Sequence, residues 1–258
     1  MTIFIFLFGS AIGSFLNVLI DRLSENQSIM GRSHCDFCGK KLTWFDLVPI
    51  FSFLTLGGKS RCCHKKLSWQ YPLVELTTGI AFVLIFKDSL VFKTVFIAGI
   101  VSCFIVIFVS DFKYHLISDW ILWALFGFSL LFKVLTPISS VFPSQAGIHV
   151  LSQIVSDVLS GLIVAAPIFL IYFVTRERAM GLGDVLLSAI TGFLLGWPMG
   201  FVAIYIAFVT GAIYGIVLLA IHRKKLKSHI AFGPFIIIGA LVMLYYGKEI
   251  ISVVEKIY

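Results

Sequence analysis

Two aspartates stand at the edges of apolar stretches, where a carboxylate is costly to keep. Asp111 follows the apolar run 94–110, and Asp184 ends "GLGD" just before a run that reaches Leu195. Near a bilayer such a group must be paired, solvated or functional. Two carboxylates at short separation cannot both ionise readily, so one holds a proton while the other stays charged. Together they can deprotonate an attacking water and protonate the oxyanion formed from a peptide carbonyl.

The glycines around Asp184 allow two interpretations. Gly181 and Gly183 have no Cβ, so a substrate backbone could approach the carboxylate closely. Alternatively they form an ordinary loop in which Asp184 is the N-cap of the next helix, and the stretch taken alone favours this cap. In the same way, Asp119 or Ser118 could cap the helix that follows Asp111.

The composition predicts the architecture that must position these groups. Of 258 residues, 59% are hydrophobic and only 13% charged, and the mean hydropathy is +1.03. A soluble core of this size does not need so much apolar sequence, so the chain is predicted to be an all-α polytopic membrane protein. Long Val, Ile and Leu runs with 26 phenylalanines favour helices over the alternating pattern of a β-barrel.

About eight transmembrane helices are predicted, the first of them retained because no basic region precedes it. The predicted spans are 2–20, 73–86, 94–110, 116–136, 150–174, 185–196, 199–221 and 230–247.

Basic residues predict the orientation of these helices. If the loop after the first span is cytosolic, fifteen of the 20 Lys and Arg residues, including those in 223–227, lie inside and five outside. This positive-inside bias puts both termini outside, with Asp111 and Asp184 on the cytosolic side at similar depth. Orientation is sufficient to explain the net charge of +7, so no nucleic-acid partner is expected; a basic RNA-binding patch is the weaker interpretation.

The cytosolic loop after the first span contains two pairs of cysteines. Cys35 and Cys38 form a CxxC knuckle, and Cys62 and Cys63 follow with 23 residues between the pairs. Two such clusters at this separation predict a small zinc ribbon. A disulfide is disfavoured because cytosolic thiols are kept reduced.

The second cysteine pair is irregular. A regular knuckle would have cysteines at 60 and 63, but position 60 is Ser. Cys63 is therefore the third expected ligand, and either Cys62 or His64 is the fourth. Cys103 falls within the third span and is most simply a buried apolar residue.

Six blocks of the sequence, in this order, resemble the bifunctional type IV prepilin peptidases, also called leader peptidase/N-methyltransferases. The blocks are "GSAIGSFLNVLIDRL", "CDFCGKKLTWFDLVPIFSFL", "GGKSRCCHKKLSWQYPLVEL", "DFKYHLISD", "GLGD" and "AFGPFIIIGA".

The resemblance implies a membrane protease. Such enzymes cut the basic leader from type IV prepilins and pseudopilins at the cytosolic face of the bacterial inner membrane. Many then methylate the new N-terminus with S-adenosylmethionine. In that pattern Asp111 and Asp184 correspond to the two catalytic aspartates, whereas Asp119 is not usually assigned to catalysis. A leader followed by an apolar helix could lie in the lipid bilayer with its scissile bond beside both aspartates.

The sequence departs from the family pattern at three named positions. Ser60 replaces a knuckle cysteine, Ser118 stands where proline is usual, and Leu186 where lysine is usual in GxGDxK. Glu75, in "YPLVEL", is expected either to line the methyl-donor or substrate site or to have a structural role with nearby basic residues. No Gly-rich nucleotide-binding fingerprint is present, so methylation rests on the resemblance.

These observations divide the chain into a first transmembrane helix (1–21), a cytosolic cysteine loop (22–72) associated with metal and methyl transfer, and a transmembrane peptidase domain (73–258). An ion- or proton-coupled transporter using the same aspartates is the alternative function, and a membrane-anchored zinc-ribbon adaptor is a third. Transporters usually hold such groups near the midplane, whereas here they lie at one interface, which favours the peptidase.

Overall fold

The computed structural model describes residues 1–25, 27–28, 31–35, 37–87, 91–138, 146–178, 180–221 and 230–257. The basic segment 223–227 lies outside these residues. Within them the chain forms nine α-helices and a 3-10 turn, Trp44–Leu47, which lies in the loop after the first helix. The helices are α1 Thr2–Ser24, α2 Phe51–Thr55, α3 Gln70–Ile85, α4 Val91–Tyr114, α5 Asp119–Ile138, α6 Ala146–Thr175, α7 Leu182–Leu195, α8 Met199–Ala220 and α9 Gly233–Ile257.

The predicted all-helical membrane fold is confirmed. Each of the eight predicted apolar segments falls on one helix, and only the short α2 was not expected. Among the described residues, five helical stretches are long and apolar enough to cross a bilayer, and α3 and α7 are shorter. The count of eight crossings therefore stays a prediction. The five stretches are Thr2–Ser24, Lys93–Tyr114, Leu151–Thr175, Met199–Ala220 and Gly233–Ser252.

The chain divides into two compact units, Met1–Val106 and Ile107–Tyr258; the sequence-based domain boundaries stay predictions. In the first unit α1 packs antiparallel to α3. A Cβ on Gly13 would lie 2.8 Å from the Cα of Glu75, so only glycine lets the helices come this close. One turn further along α1, Asn17 Nδ2 donates to the carbonyl of Tyr71 at 3.1 Å. A step of four residues toward the C-terminus of α1 therefore corresponds to a step of four residues toward the N-terminus of α3, as expected for antiparallel helices.

In the second unit α7 is surrounded by other helices. It contacts α5, α6, α8 and α9. Its approach to α6 depends on small residues, because a Cβ on Gly192 would lie 3.0 Å from the Cα of Gly161 and 2.7 Å from the Cβ of Val164. On the α5 side the rings of Phe126 and Phe193 are 5.3 Å apart. This packing fixes α7, whose first turn carries Asp184.

A buried ion pair joins α5 to α6 in the second unit. Lys133 Nζ lies 3.0 Å from Oδ1 of Asp157, whose side chain is only 2% exposed. Gln153 Nε2 donates to the same oxygen at 3.3 Å. Asp157 lies in the candidate span of α6, where a carboxylate is kept only with a partner. Nothing in the sequence pattern indicated this pairing.

Candidate active site and metal centre

Asp111 lies in the last turn of α4 and is buried. Its Oδ2 accepts a hydrogen bond of 2.9 Å from the backbone amide of Gly233, the first residue of α9. A Cβ on Gly233 would lie 2.6 Å from that oxygen, so the contact requires glycine. Free amides and the dipole at a helix N-terminus favour a negative charge, so the start of α9 both holds Asp111 and stabilises its ionised form.

Asp184 lies in the first turn of α7, and Gly181 is the N-cap. The suggestion that Asp184 itself is the N-cap is therefore wrong; it is the third helical residue. Its Oδ2 accepts from the amide of Gly181 at 3.2 Å, which is one half of a capping box. Its Oδ1 is buried and makes no hydrogen bond to any residue that the structure describes. One carboxylate oxygen thus fixes the side chain.

The two aspartates approach each other closely enough for their carboxylates to repel electrostatically. Ile117, in the loop after α4, packs against Gly183, which precedes Asp184, and against Gly233, whose amide holds Asp111. A Cβ on Gly183 would lie 3.1 Å from the Cβ of Ile117, and a Cβ on Gly233 would lie 3.3 Å from its Cδ1. The structure therefore brings together Asp111, Asp184 and the start of α9 around one isoleucine.

The two glycines predicted to admit substrate have different surroundings. At Gly181 the atom nearest to an added Cβ is Asp184 Oδ2, at 3.9 Å, so the position is open. At Gly183 the space is filled by Ile117, so this glycine serves packing. A role in substrate approach thus fits Gly181 and stays a prediction.

Three positions close in sequence to the aspartates make no contact with the candidate site that the structure records. Asp119 is the exposed first residue of α5. The carbonyl of Ser118 accepts hydrogen bonds from Ile121 and Leu122, so α5 begins without the proline usual at this place. Leu186 is an exposed residue of α7, two positions after Asp184.

Glu75 lies in α3 and is buried. Its Oε2 accepts a 2.7 Å hydrogen bond from the backbone amide of Ile50, and its carboxylate also bonds to the side chain of Ser14. Ile50 has φ 61°, a strained value for a β-branched residue. Of the two expected roles, the structural one fits these contacts, with an amide and a hydroxyl in place of the basic residues. The Ile50 contact had no signal in the sequence.

The four cysteines of the loop form one cluster. The Sγ atoms of Cys35, Cys38, Cys62 and Cys63 all lie within 4.8 Å of one another. Cys35 and Cys63 are 3.7 Å apart and Cys38 and Cys62 3.1 Å apart. Tetrahedral zinc with Zn–S bonds near 2.3 Å places its sulfurs about 3.8 Å apart, so the set fits a zinc ion. His64 is not part of the cluster, so Cys62 is the candidate fourth ligand.

The two knuckles repeat the same backbone turn. The amide of Cys35 donates to the carbonyl of Lys40, and the amide of Ser60 donates to that of Lys65, at 2.9 and 2.8 Å. Ser60 therefore has the position in the second knuckle that Cys35 has in the first. The missing sulfur is supplied by Cys62, two residues further on.

Ser60 stays in contact with the sulfurs. Its Oγ lies 3.0 Å from Cys62 Sγ and 3.4 Å from Cys35 Sγ. Burial raises the pKa of the Cys35 thiol, but hydrogen bonds from the Ser60 hydroxyl and from the local backbone outweigh it and lower the pKa to about 6. These hydrogen bonds favour the thiolate form of Cys35, the form that binds metals.

Two family models match consecutive parts of the chain. The model of the bacterial peptidase A24 N-terminal domain matches residues 7–88. The model of the type IV leader peptidase family matches residues 98–216. The first match contains the cysteine cluster, and the second contains Asp111 and Asp184.

Several curated relatives, each named prepilin leader peptidase/N-methyltransferase, match nearly the whole chain. That of Bacillus subtilis (strain 168) is 30% identical over 253 residues, covering 96% of this chain and 95% of the relative. That of Pectobacterium carotovorum subsp. carotovorum is 29% identical over 262 residues, covering 90% and 88%. That of Aeromonas salmonicida (strain A449) is 28% identical over 275 residues, covering 95% and 91%. No solved structure matches the chain.

Proposed function

Because the chain belongs to the type IV leader peptidase family, we propose that it cleaves the leader from type IV prepilins or pseudopilins and then N-methylates the new N-terminus. The observation that supports cleavage is the pairing of Asp111 and Asp184, with one Asp184 oxygen left without a partner among the described residues. A transporter would be expected to hold such groups near the middle of the bilayer. Here both lie in terminal turns of helices.

The chemistry follows from two carboxylates that share one proton. The ionised aspartate takes a proton from water as the water oxygen attacks the carbonyl carbon of the scissile peptide bond. The other aspartate donates its proton to the carbonyl oxygen. The tetrahedral intermediate then collapses: the C–N bond breaks, the leaving amine takes a proton from the first aspartate, and the second aspartate takes back a proton from a hydroxyl group of the intermediate, which restores the starting state of the pair. The amide of Gly233 holds Asp111 in place throughout.

The site is proposed to face the cytosol at the bacterial inner membrane. The positive-inside distribution of Lys and Arg supports this orientation. A prepilin whose apolar helix lies in the lipid bilayer would then present its basic leader on the side where both aspartates lie. This geometry needs no nucleic-acid partner.

For methylation, S-adenosylmethionine would supply the methyl group. Glu75, the residue that the sequence associated with this step, already binds the Ile50 amide and Ser14. Its contacts fit a structural role, so we assign no residue to the methyl donor. Zinc would be held by Cys35, Cys38, Cys62 and Cys63, where it would join the two knuckles as a structural ion.

Co-expression with a type IV prepilin tests the proposal. Leader removal is scored for the wild type, Asp111→Asn, Asp184→Asn and the matched control Asp119→Asn. These substitutions keep side-chain size but remove the ionisable group. We expect the wild type and Asp119→Asn to cleave, and the other two to be inserted in the membrane but inactive. Cleavage near the wild-type rate by Asp111→Asn or Asp184→Asn would exclude the two-aspartate mechanism.

A further inference from the structure

The loop between α1 and α3 exposes large apolar side chains in its middle part. Residues 44–56, called here the aromatic segment, comprise the 3-10 turn, a short link and α2. Phe51 and Leu54, on one side of α2, are 64% and 67% exposed, whereas Phe53, on the other side, is buried. Trp44 and Phe45 are also exposed and stack on each other. A loop surrounded by water would be expected to expose polar residues instead.

The aromatic segment is tied to α3 well inside the end of the helix pair. The amide of Ile50 bonds to Glu75, and Glu75 lies level with Gly13 of α1. From Gly13 to Asp21, the first charged residue of α1, there are eight residues, or about 12 Å of helix at 1.5 Å per residue. The start of α2 is therefore held against the apolar part of the α1–α3 pair and not beyond the charged end of α1.

Much of the backbone around the start of α2 is satisfied without water, as a position in the lipid bilayer requires. Pro49 has no amide hydrogen, and the amide of Ile50 donates to Glu75. The amides of Ser52 and Leu54 donate to backbone carbonyls within the segment. A buried carboxylate that accepts from a loop amide is expected in a non-aqueous setting and is not required in water.

We propose that residues 44–56 re-enter the cytosolic leaflet and that Phe51 and Leu54 contact lipid acyl chains. Phe53, on the other side of α2, packs on Trp69, one residue before α3 begins, and so holds α2 against the start of α3 with Phe51 and Leu54 facing outward. Trp44 is placed nearer the headgroups, where tryptophan is enriched.

The positive charges on both sides of the aromatic segment complement the anionic lipids of a bacterial membrane leaflet. Lys40 and Lys41 precede it, and Lys59, Lys65 and Lys66 follow it. Lysines near a surface that contains anionic lipids each contribute about 1 kcal/mol of attraction. Apolar side chains inserted between two basic stretches are the pattern of a segment held at a membrane interface.

Photo-crosslinking in the full-length protein tests this proposal. The photoreactive p-benzoylphenylalanine replaces Phe51 or Leu54, one at a time, in proteoliposomes of phosphatidylethanolamine and phosphatidylglycerol. Leu7, an exposed residue of α1, is the lipid-facing control, and Gln27, an exposed polar residue just after the charged end of α1, is the water-facing control. Adducts are identified by mass spectrometry, and a parallel sample contains a prepilin.

We expect phospholipid adducts at Phe51 and Leu54 with yields comparable to that at Leu7, and none above background at Gln27. Adducts at Leu7 without any at Phe51 and Leu54 would overturn the proposal. So would crosslinks from Phe51 and Leu54 to the prepilin that replace the lipid adducts, since the surface would then belong to the substrate helix. Each variant is also scored for leader removal, so a loss of the protease is distinguished from a failure of this proposal.

Discussion

The amide of Gly233 donates a hydrogen bond to Oδ2 of Asp111 across 122 positions of the chain. The block "AFGPFIIIGA" thus contributes to the candidate site through its backbone, although none of its side chains could carry the reaction. The start of α9 is as much a part of this site as the aspartate that it holds.

Gly233→Ala tests this contact. The added methyl group would lie 2.6 Å from Asp111 Oδ2 and must displace the carboxylate. A misplacement of about 1 Å costs on the order of 100-fold in rate, so we expect leader cleavage to fall by about that factor. Gly127→Ala is the matched control, because a Cβ there meets no atom of the described residues within 4 Å. Equal cleavage rates for the two variants would show that the Gly233 contact is unimportant.

Replacing Glu75 separates its charge from its hydrogen bond. Glu75→Gln keeps an acceptor for the Ile50 amide, whereas Glu75→Leu leaves that buried amide without a partner. An unsatisfied buried group costs about 1–3 kcal/mol, so we expect only the leucine variant to lose that much unfolding free energy. Thermal unfolding in detergent measures the difference. If both variants unfold like the wild type, the Ile50 contact does not stabilise the loop.

The metal ligands are tested by the zinc content of the purified protein. We expect about one zinc per chain in the wild type, in His64→Ala and in the double variant Ser60→Cys/Cys62→Ser, which restores a regular knuckle. Cys62→Ser alone is expected to lose zinc, because three thiolates and two hydroxyls remain. Zinc retained by Cys62→Ser and lost by His64→Ala would assign the fourth ligand to the histidine. Elemental analysis by mass spectrometry gives the stoichiometry.

The Lys133–Asp157 pair is tested by a double-mutant cycle. Removing one partner of a buried pair leaves an uncompensated charge and costs about 3–5 kcal/mol. We therefore expect Lys133→Met and Asp157→Leu each to be strongly destabilised, and the double variant to be less destabilised than the two single losses added together. Unfolding in detergent provides the three values. Additive losses would mean that the two side chains do not interact across their 3.0 Å separation.

Much of this molecule could be predicted from local patterns. Apolar runs located the long helices, and the two aspartates and the cysteine pairs were recognisable from residue type and spacing. What could not be predicted depends on how helices pack. The Gly233 contact to Asp111 and the position of Ile117 between two motifs join segments that are distant in sequence.

The choice of Cys62 over His64 was undecidable for a related reason. Neighbouring residues rarely face the same point, and the sequence does not show how the second knuckle turns. In the structure both Cys62 and Cys63 reach the cluster.

Asp184 keeps one oxygen buried and without a partner in the described part of the chain. A buried polar atom without a partner reduces the free energy of unfolding by about 1–3 kcal/mol. A leucine of similar size would not have this cost. We therefore expect a chain with leucine at this position to be inactive but more stable than the wild type. Selection for thermal robustness alone would act against Asp184, so any effort to stabilise this protein by sequence optimisation should hold that position fixed.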